Sequence, residues 1–248
     1  MLPIRDANPA LMTPFVTIAI IATCALVFFG LQPRSAESGE EFFYRAASIP
    51  CEITSGEALT SAEIRGAECS RGDGSPVFPE KNIWLSLVSS IFFHGDIAHL
   101  LGNLWVLWIF GNNVEDAYGR VGYAAFYLLT GLAASFGHIA LNPASTVPVV
   151  GASGAIAGIM GAYLVLFPSA RVVSIIPPLF FWPFAVPAGL FLVIWLVAQF
   201  AIAGAASNIA WEAHVVGFAV GLAVTFFNRK NLRTRIATHN YRAWSRRP

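Results

Sequence analysis

Three short stretches of this 248-residue chain combine groups suited to acyl-transfer chemistry with glycines that let backbones approach closely. His94-Gly-Asp-Ile-Ala-His99-Leu-Leu-Gly-Asn103 carries two imidazoles and a carboxamide, Gly151-Ala-Ser153-Gly154 a hydroxyl, and Ala213-His214-Val-Val-Gly217-Phe-Ala-Val-Gly221 another imidazole. Serine is a weak nucleophile until a base takes its proton, so Ser153 beside His214 is the minimum for nucleophilic catalysis. His99 and Asn103 stand at i and i+4, share a helix face, and can both donate hydrogen bonds to a third group. A zinc site would need two histidines at i and i+4 with a glutamate between them. His94 and His99 are five apart with no glutamate between, which makes the metalloprotease reading weak; no metal and no cofactor is expected.

The elements that must position these groups follow from charge. Charged side chains make up 12% of the chain, about half of what a soluble domain carries, while 56% of residues are hydrophobic and mean hydropathy is +0.63. This composition excludes a disordered chain, a nucleic-acid-binding protein and most water-soluble enzymes. Between Arg120 and Arg171 lie 50 uncharged residues, and between Arg171 and Glu212 another 40. A membrane span needs about 20, so the chain reads as an all-α polytopic membrane protein.

Six spans are expected, near residues 14–31, 97–111, 121–141, 152–167, 188–205 and 211–227. Asn142-Pro-Ala-Ser-Thr-Val-Pro148 breaks the first long run, and the prolines at 177, 178, 183 and 187 mark an interfacial loop in the second. Asn82–Phe93 is apolar but short, as an interfacial or re-entrant segment would be. Residues 32–81, with nine acidic and five basic side chains, form a solvated loop. Its two cysteines, Cys51 and Cys69, could pair if the compartment is oxidising, and the sequence leaves that open. Cys24 reads as a small apolar residue. The tail 229–248 holds seven basic residues and no acidic one, which marks it as cytoplasmic and able to touch anionic lipid. The organisation is then a cytoplasmic segment 1–13, the first span 14–31, an extracytoplasmic loop 32–81, a core 82–228 and a basic tail 229–248.

All three polar stretches open even-numbered spans, so they meet at the outer face at similar depth. Polar groups inside spans are costly and point to function. From Gly151 to Phe167 is 17 residues, about 25 Å of helix against a hydrocarbon core of roughly 30 Å, which sinks Ser153 below the surface. A helix N-terminus there offers free N–H groups to a developing oxyanion. Gly154, Gly158 and Gly161 mark one face of the fourth span; His214, Gly217, Gly221 and Thr225 mark one face of the sixth. Packing of these two small-residue faces would set the imidazole beside Ser153. Glu115, Asp116, Asp96 and Glu212 read as helix-end or interfacial charges, with Glu212 turned away from His214, and neither His138 nor His239 is given a site role.

Together the His-x4-His-x3-Asn, Gly-Ala-Ser-Gly and Ala-His-x2-Gly-x3-Gly motifs resemble those of the rhomboid intramembrane serine proteases, over about residues 80–228 and including Phe110-Gly-Asn-Asn-Val-Glu115. The resemblance implies a six-helix bundle and a dyad of Ser153 as nucleophile and His214 as general base. It implies an oxyanion hole from Asn103, His99 and the Ser153 backbone N–H, supported by His94, with Gly151, Gly154, Gly217 and Gly221 shaping the site. It further implies single-pass transmembrane protein substrates cut near their outer end, lateral entry past the fifth span, and a bacterial cell membrane. Two features depart from many members. The first outer loop lacks a Trp-Arg pair, Tyr44-Arg45 being the nearest feature. The position one turn after the serine is Ala157 rather than an aromatic, so other packing must hold His214. The rival readings are a non-catalytic rhomboid-like protein that binds transmembrane clients and a small transporter. A transporter would usually show paired repeats, which the sequence lacks.

Overall fold

Where water is scarce, backbone polar groups must pair within their own segment, and the uncharged runs accordingly fold mainly as helices. The computed structural model describes residues 1–66, 68–70, 74–176, 180–203 and 209–245. Its helices are α1 (Phe15–Gly30), α2 (Ala36–Ala46), α3 (Pro50–Ser55), α4 (Ser61–Gly66), α5 (Ile83–Ser89), α6 (Ile97–Tyr118), α7 (Arg120–Leu141), α8 (Ser153–Leu166), α9 (Ala188–Ala203) and α10 (Trp211–Ser245). A 3-10 turn over Ser90–Phe92 extends α5. By length and apolarity, Arg120–Leu141 and Trp211–Thr238 can each cross a membrane. The Ile83–Phe92 and Ile97–Tyr118 pair, bent by 75°, makes a third candidate. Phe15–Gly30, Ser153–Leu166 and Ala188–Ala201 are apolar but shorter. Among the described residues two or three spans therefore stand on length alone, and a count of six rests on the sequence pattern.

The fold is predominantly helical but not all-α. Strands β1 (Leu2–Asp6), β2 (Arg171–Ile176) and β3 (Phe180–Pro187) form an antiparallel sheet in the order β1-β2-β3. The expected interfacial loop is thus partly a hairpin, in which β-branched Val172, Val173, Ile175 and Ile176 favour extended backbone. Pro177 and Pro178 lie outside the described residues. Strand β1 is fastened to the bundle by side chains of its helices. Tyr163 donates to Asp6 at 2.7 Å, Asn113 Nδ2 donates to the same carboxylate oxygen at 2.8 Å, and Trp105 Nε1 donates to the Pro3 carbonyl at 2.7 Å.

Glu115 and Asp116 are helix-end charges, in the last turn of α6, with a further role. They lie within α6, buried, and act as acceptors for the N-terminal segment. Glu115 accepts from the Val16 and Thr17 backbone N–H at 3.0 and 2.8 Å and from the Thr17 hydroxyl at 2.8 Å. Asp116 accepts from the N–H of Leu11 and Met12. No side chain at Pro14 caps α1, so a carboxylate from another helix satisfies its orphan donors and meets the positive end of its dipole. The basic tail is helical, since α10 continues through it to Ser245, with Leu232 packed against Ala117 and Leu166.

Inside the bundle Tyr123, Tyr127, Tyr163, Phe110 and Phe218 are fully buried, while Leu26, Leu101, Trp105, Trp108, Val121, Val197 and Phe227 face outward. Large side chains exposed in that way are what a helix bundle shows to lipid. At the other end of the bundle from the sheet, α2, α3 and α4 structure the 32–81 loop, and Cys51 is disulfide-bonded to Cys69. Beneath them Lys81 Nζ contacts Glu52 at 2.5 Å and donates to the Tyr44 carbonyl at 2.8 Å, with both charged side chains almost wholly buried. Burial pushes the Glu52 carboxyl up and the Lys81 ammonium down, and their mutual attraction opposes both shifts. Removing one partner strands a buried charge. Lys81→Met is expected to destabilise this cap by about 3–5 kcal/mol, and Lys81→Met/Glu52→Leu to recover most of that. Thermal melts of the four proteins of the cycle check it; a double variant no better than Lys81→Met would show that the pair is not the source.

Candidate active site

Helix α8 begins at Ser153 itself, with Ala152 as its N-cap and no side-chain capping hydrogen bond among the described residues. The N–H groups of that turn therefore have no intrahelical partner and point past the serine. The chain enters the helix through Gly151, whose φ of 128° is strained for any residue with a Cβ. A methyl added there would stand 2.9 Å from the His99 ring and 3.5 Å from Ser153 Oγ, so Gly151 is where the α6 imidazole and the serine come together. The Gly151 N–H is anchored on the Ser90 carbonyl at 3.0 Å, which ties the α8 entry to the 3-10 turn.

Helices α8 and α10 meet along their small faces. A Cβ on Gly217 would collide with the Gly154 carbonyl, and one on Gly221 with the Gly158 carbonyl. Gly161 lies against the Phe218 backbone in the same way. This approach places His214 Nε2 at 2.8 Å from Ser153 Oγ, within hydrogen-bond range for O–H donating to an imidazole nitrogen. Between the α8 entry and the neighbouring α7 lies a cavity of about 30 Å³, lined by Ser90, Ser135, Val149, Ser153 and Ala213 among others. That volume accommodates a water, which needs roughly 10–15 Å³.

The other predicted residues gather on the α6 side. Asp96 caps α6, its carboxylate accepting from the His99 N–H at 2.8 Å. His94 is fully buried, its ring edge-on to that of His99 with centroids 5.2 Å apart. Neither His94 ring nitrogen, nor Nδ2 of the buried Asn103, has a hydrogen-bond partner among the described residues. A buried donor without a partner is costly, and sites that bind charge are where such donors are retained.

Several contacts at the site are with residues the sequence reading passed over. The Gln32 carboxamide brackets His94, donating to its carbonyl at 2.7 Å and accepting from its N–H at 3.0 Å. From α9, Gln199 Oε1 lies 2.7 Å from His214 Nδ1, and the Trp195 ring flanks the imidazole with centroids 6.0 Å apart. The support that Ala157 cannot give thus comes from a different helix. Gln199 carried a legible signal, since it is the one carboxamide in an otherwise apolar helix and stands four residues after Trp195. Glu212 bonds His138 and Asn142 rather than His214, closing the end of α7 onto the start of α10. His239 has no described side chain.

Residues 81–231 match the Rhomboid domain. The chain is 39% identical over 88 residues to the Rhomboid protease GluP of Bacillus subtilis (strain 168), covering 36% of this chain and 17% of that protein. It is 28% identical over 145 residues to Rhomboid protein 1, mitochondrial, of Saccharomyces cerevisiae, covering 56% and 40%. To the human Presenilin-associated rhomboid-like protein, mitochondrial, it is 31% identical over 98 residues, covering 38% and 25%. The matched stretches thus span less than half of each relative's length. A further relative is named chloroplastic. The relatives' names point to several compartments and do not single out a bacterial inner membrane.

Proposed function

The chain belongs to the rhomboid family, its Rhomboid domain covering residues 81–231 of 248, and from that premise we propose that it is an intramembrane serine endopeptidase acting on transmembrane proteins. The observation that carries this reading is the 2.8 Å contact between Ser153 Oγ and His214 Nε2 at the head of α8. In this mechanism His214 Nε2 takes the Ser153 proton as Oγ attacks the scissile carbonyl carbon. Negative charge then develops on the carbonyl oxygen and is met by the Ser153 N–H, Asn103 Nδ2 and the His99 imidazole. The protonated His214 gives its proton to the departing amine. Water, activated by the same imidazole, then hydrolyses the acyl-enzyme ester.

Substrates on this reading are single-pass transmembrane proteins, entering laterally past α9 and cut near the outer face beneath the 32–81 cap. Six spans with both termini on the cytoplasmic side would put the disulfide-bonded cap in an oxidising compartment, where such bonds persist. The unpartnered Asn103 Nδ2 gives the reading a second support, because an oxyanion would be its missing acceptor.

The test is cleavage of single-pass substrates by the protein reconstituted in liposomes, with the cut mapped by mass spectrometry. Asn103→Ala is expected to lower turnover by about 10²–10³ while leaving the fold intact, the usual cost of one oxyanion donor. Unchanged turnover in that variant would assign the oxyanion to other groups. Binding without cleavage by the wild type across a substrate panel would favour a non-catalytic client-binding role.

A further inference from the structure

In a Ser-His-Asp triad a third group, the aspartate, holds the imidazole base in the working tautomer. The proton must sit on the nitrogen facing away from the serine, so that the lone pair faces Oγ. Among the described residues no carboxylate supplies this group to His214. Glu212, on its own helix, is bonded to His138 and Asn142, and Asp96 on α6 caps that helix. The remaining titratable neighbour, His99 on α6, lies by Gly151 on the serine's side. What meets Nδ1 is the carboxamide of Gln199 at 2.7 Å, on a residue only 4% exposed.

Orientation of that carboxamide follows from its other end. Gln199 Nε2 donates to the Trp195 carbonyl at 3.2 Å, one turn back on α9. The amide nitrogen is therefore committed to a carbonyl, and the oxygen is the atom presented to the imidazole. An oxygen at that position can only accept, so Nδ1 must carry the proton and Nε2 the lone pair. Trp195, stacked on Phe218 with centroids 6.1 Å apart, closes one side of the ring and limits its rotation.

We propose that Gln199 is a positioning residue that fixes His214 in its Nδ1–H tautomer, making a neutral Ser153–His214–Gln199 relay from three helices. The proposal rests on the Ser153/His214 reading. Unlike a carboxylate, a carboxamide gains little when the imidazole becomes charged. The relay therefore orients the base without strongly raising its basicity.

The experiment uses the full chain in detergent and follows labelling by a fluorophosphonate probe across pH, with Ser153→Ala as control. Gln199→Leu keeps the volume and removes the acceptor. It is expected to slow labelling about 10- to 100-fold, below the roughly 10⁴-fold cost seen where a mis-set tautomer disables a carboxylate-supported histidine. Gln199→Glu restores an acceptor and adds charge, and should recover labelling above Gln199→Leu with the rising limb of the pH profile moved to higher pH. A residue that only packs would not move that limb. Nitrogen-15 spectra of His214 in the wild type supply a readout independent of variant folding, with a protonated Nδ1 and a pyridine-like Nε2 expected. Wild-type labelling and pH profile in Gln199→Leu, or the opposite tautomer in the spectra, would overturn the proposal while leaving the dyad standing. Undiminished labelling of Ser153→Ala would remove the dyad and this relay with it.

Discussion

Ser153→Ala is expected to abolish labelling by a fluorophosphonate probe and to lower peptide-bond cleavage by roughly 10⁶-fold, the order of the loss when a serine protease is stripped of its nucleophile or its base. His214→Ala should do nearly the same. The double variant should be little worse than either single one, because the two side chains act as one unit through the 2.8 Å contact. Neither loss should be a folding effect. Ser153 occupies the first helical position of α8, where alanine is a good helix former, and its hydroxyl bonds nothing but the imidazole among the described contacts. Far-ultraviolet circular dichroism and the thermal midpoint should therefore match wild type for Ser153→Ala. If that variant is labelled at the wild-type rate, the nucleophile is elsewhere and the proposed mechanism fails. Additive losses in the double variant would mean that serine and histidine serve separate steps.

Much of the bundle was legible because charge is excluded from apolar surroundings over stretches longer than any one contact. The gaps flanking Arg120, Arg171 and Glu212 fall on α7, α8, α9 and the start of α10 within a few residues. The Gly154/Gly217 and Gly158/Gly221 register was legible for a related reason, since residues without side chains at helical spacing leave a groove that only another backbone can fill. What could not be read locally depended on segments distant in sequence. Glu115 and Asp116 were legible as helix-end charges, but the N–H groups their carboxylates accept from belong to residues 11–17, about a hundred positions away. Strand β1 exists because β2 and β3 offer it an edge, and nothing within residues 2–6 announces that pairing. Gln199 could have been noticed as a polar group in an apolar helix, yet its partner follows only from how α9 sits against α10.

That same register gives the second large effect. Gly217→Ala adds one methyl group, but the methyl is aimed at the Gly154 carbonyl, a backbone atom that cannot turn aside as a side chain would. Gly221→Ala repeats the collision one turn further on, against Gly158. Both substitutions must push α10 away from α8, and His214 is carried on α10 only three residues before Gly217. A shift of about 1 Å at the reacting groups costs on the order of 10²-fold in rate even when every catalytic side chain is present. Gly217→Ala is therefore expected to lower turnover by about 10² or more, and Gly217→Val to prevent the helices from closing at all. The overpacking also removes about 1–3 kcal/mol or more of stability. Gly102→Ala is the matched control, because a methyl there meets nothing within 4 Å, and it should behave as wild type. Turnover and thermal midpoint measured side by side separate the two consequences. Full activity in Gly217→Ala would mean that α8 and α10 can part without separating Ser153 from His214, and that their contact does not set the geometry of the dyad.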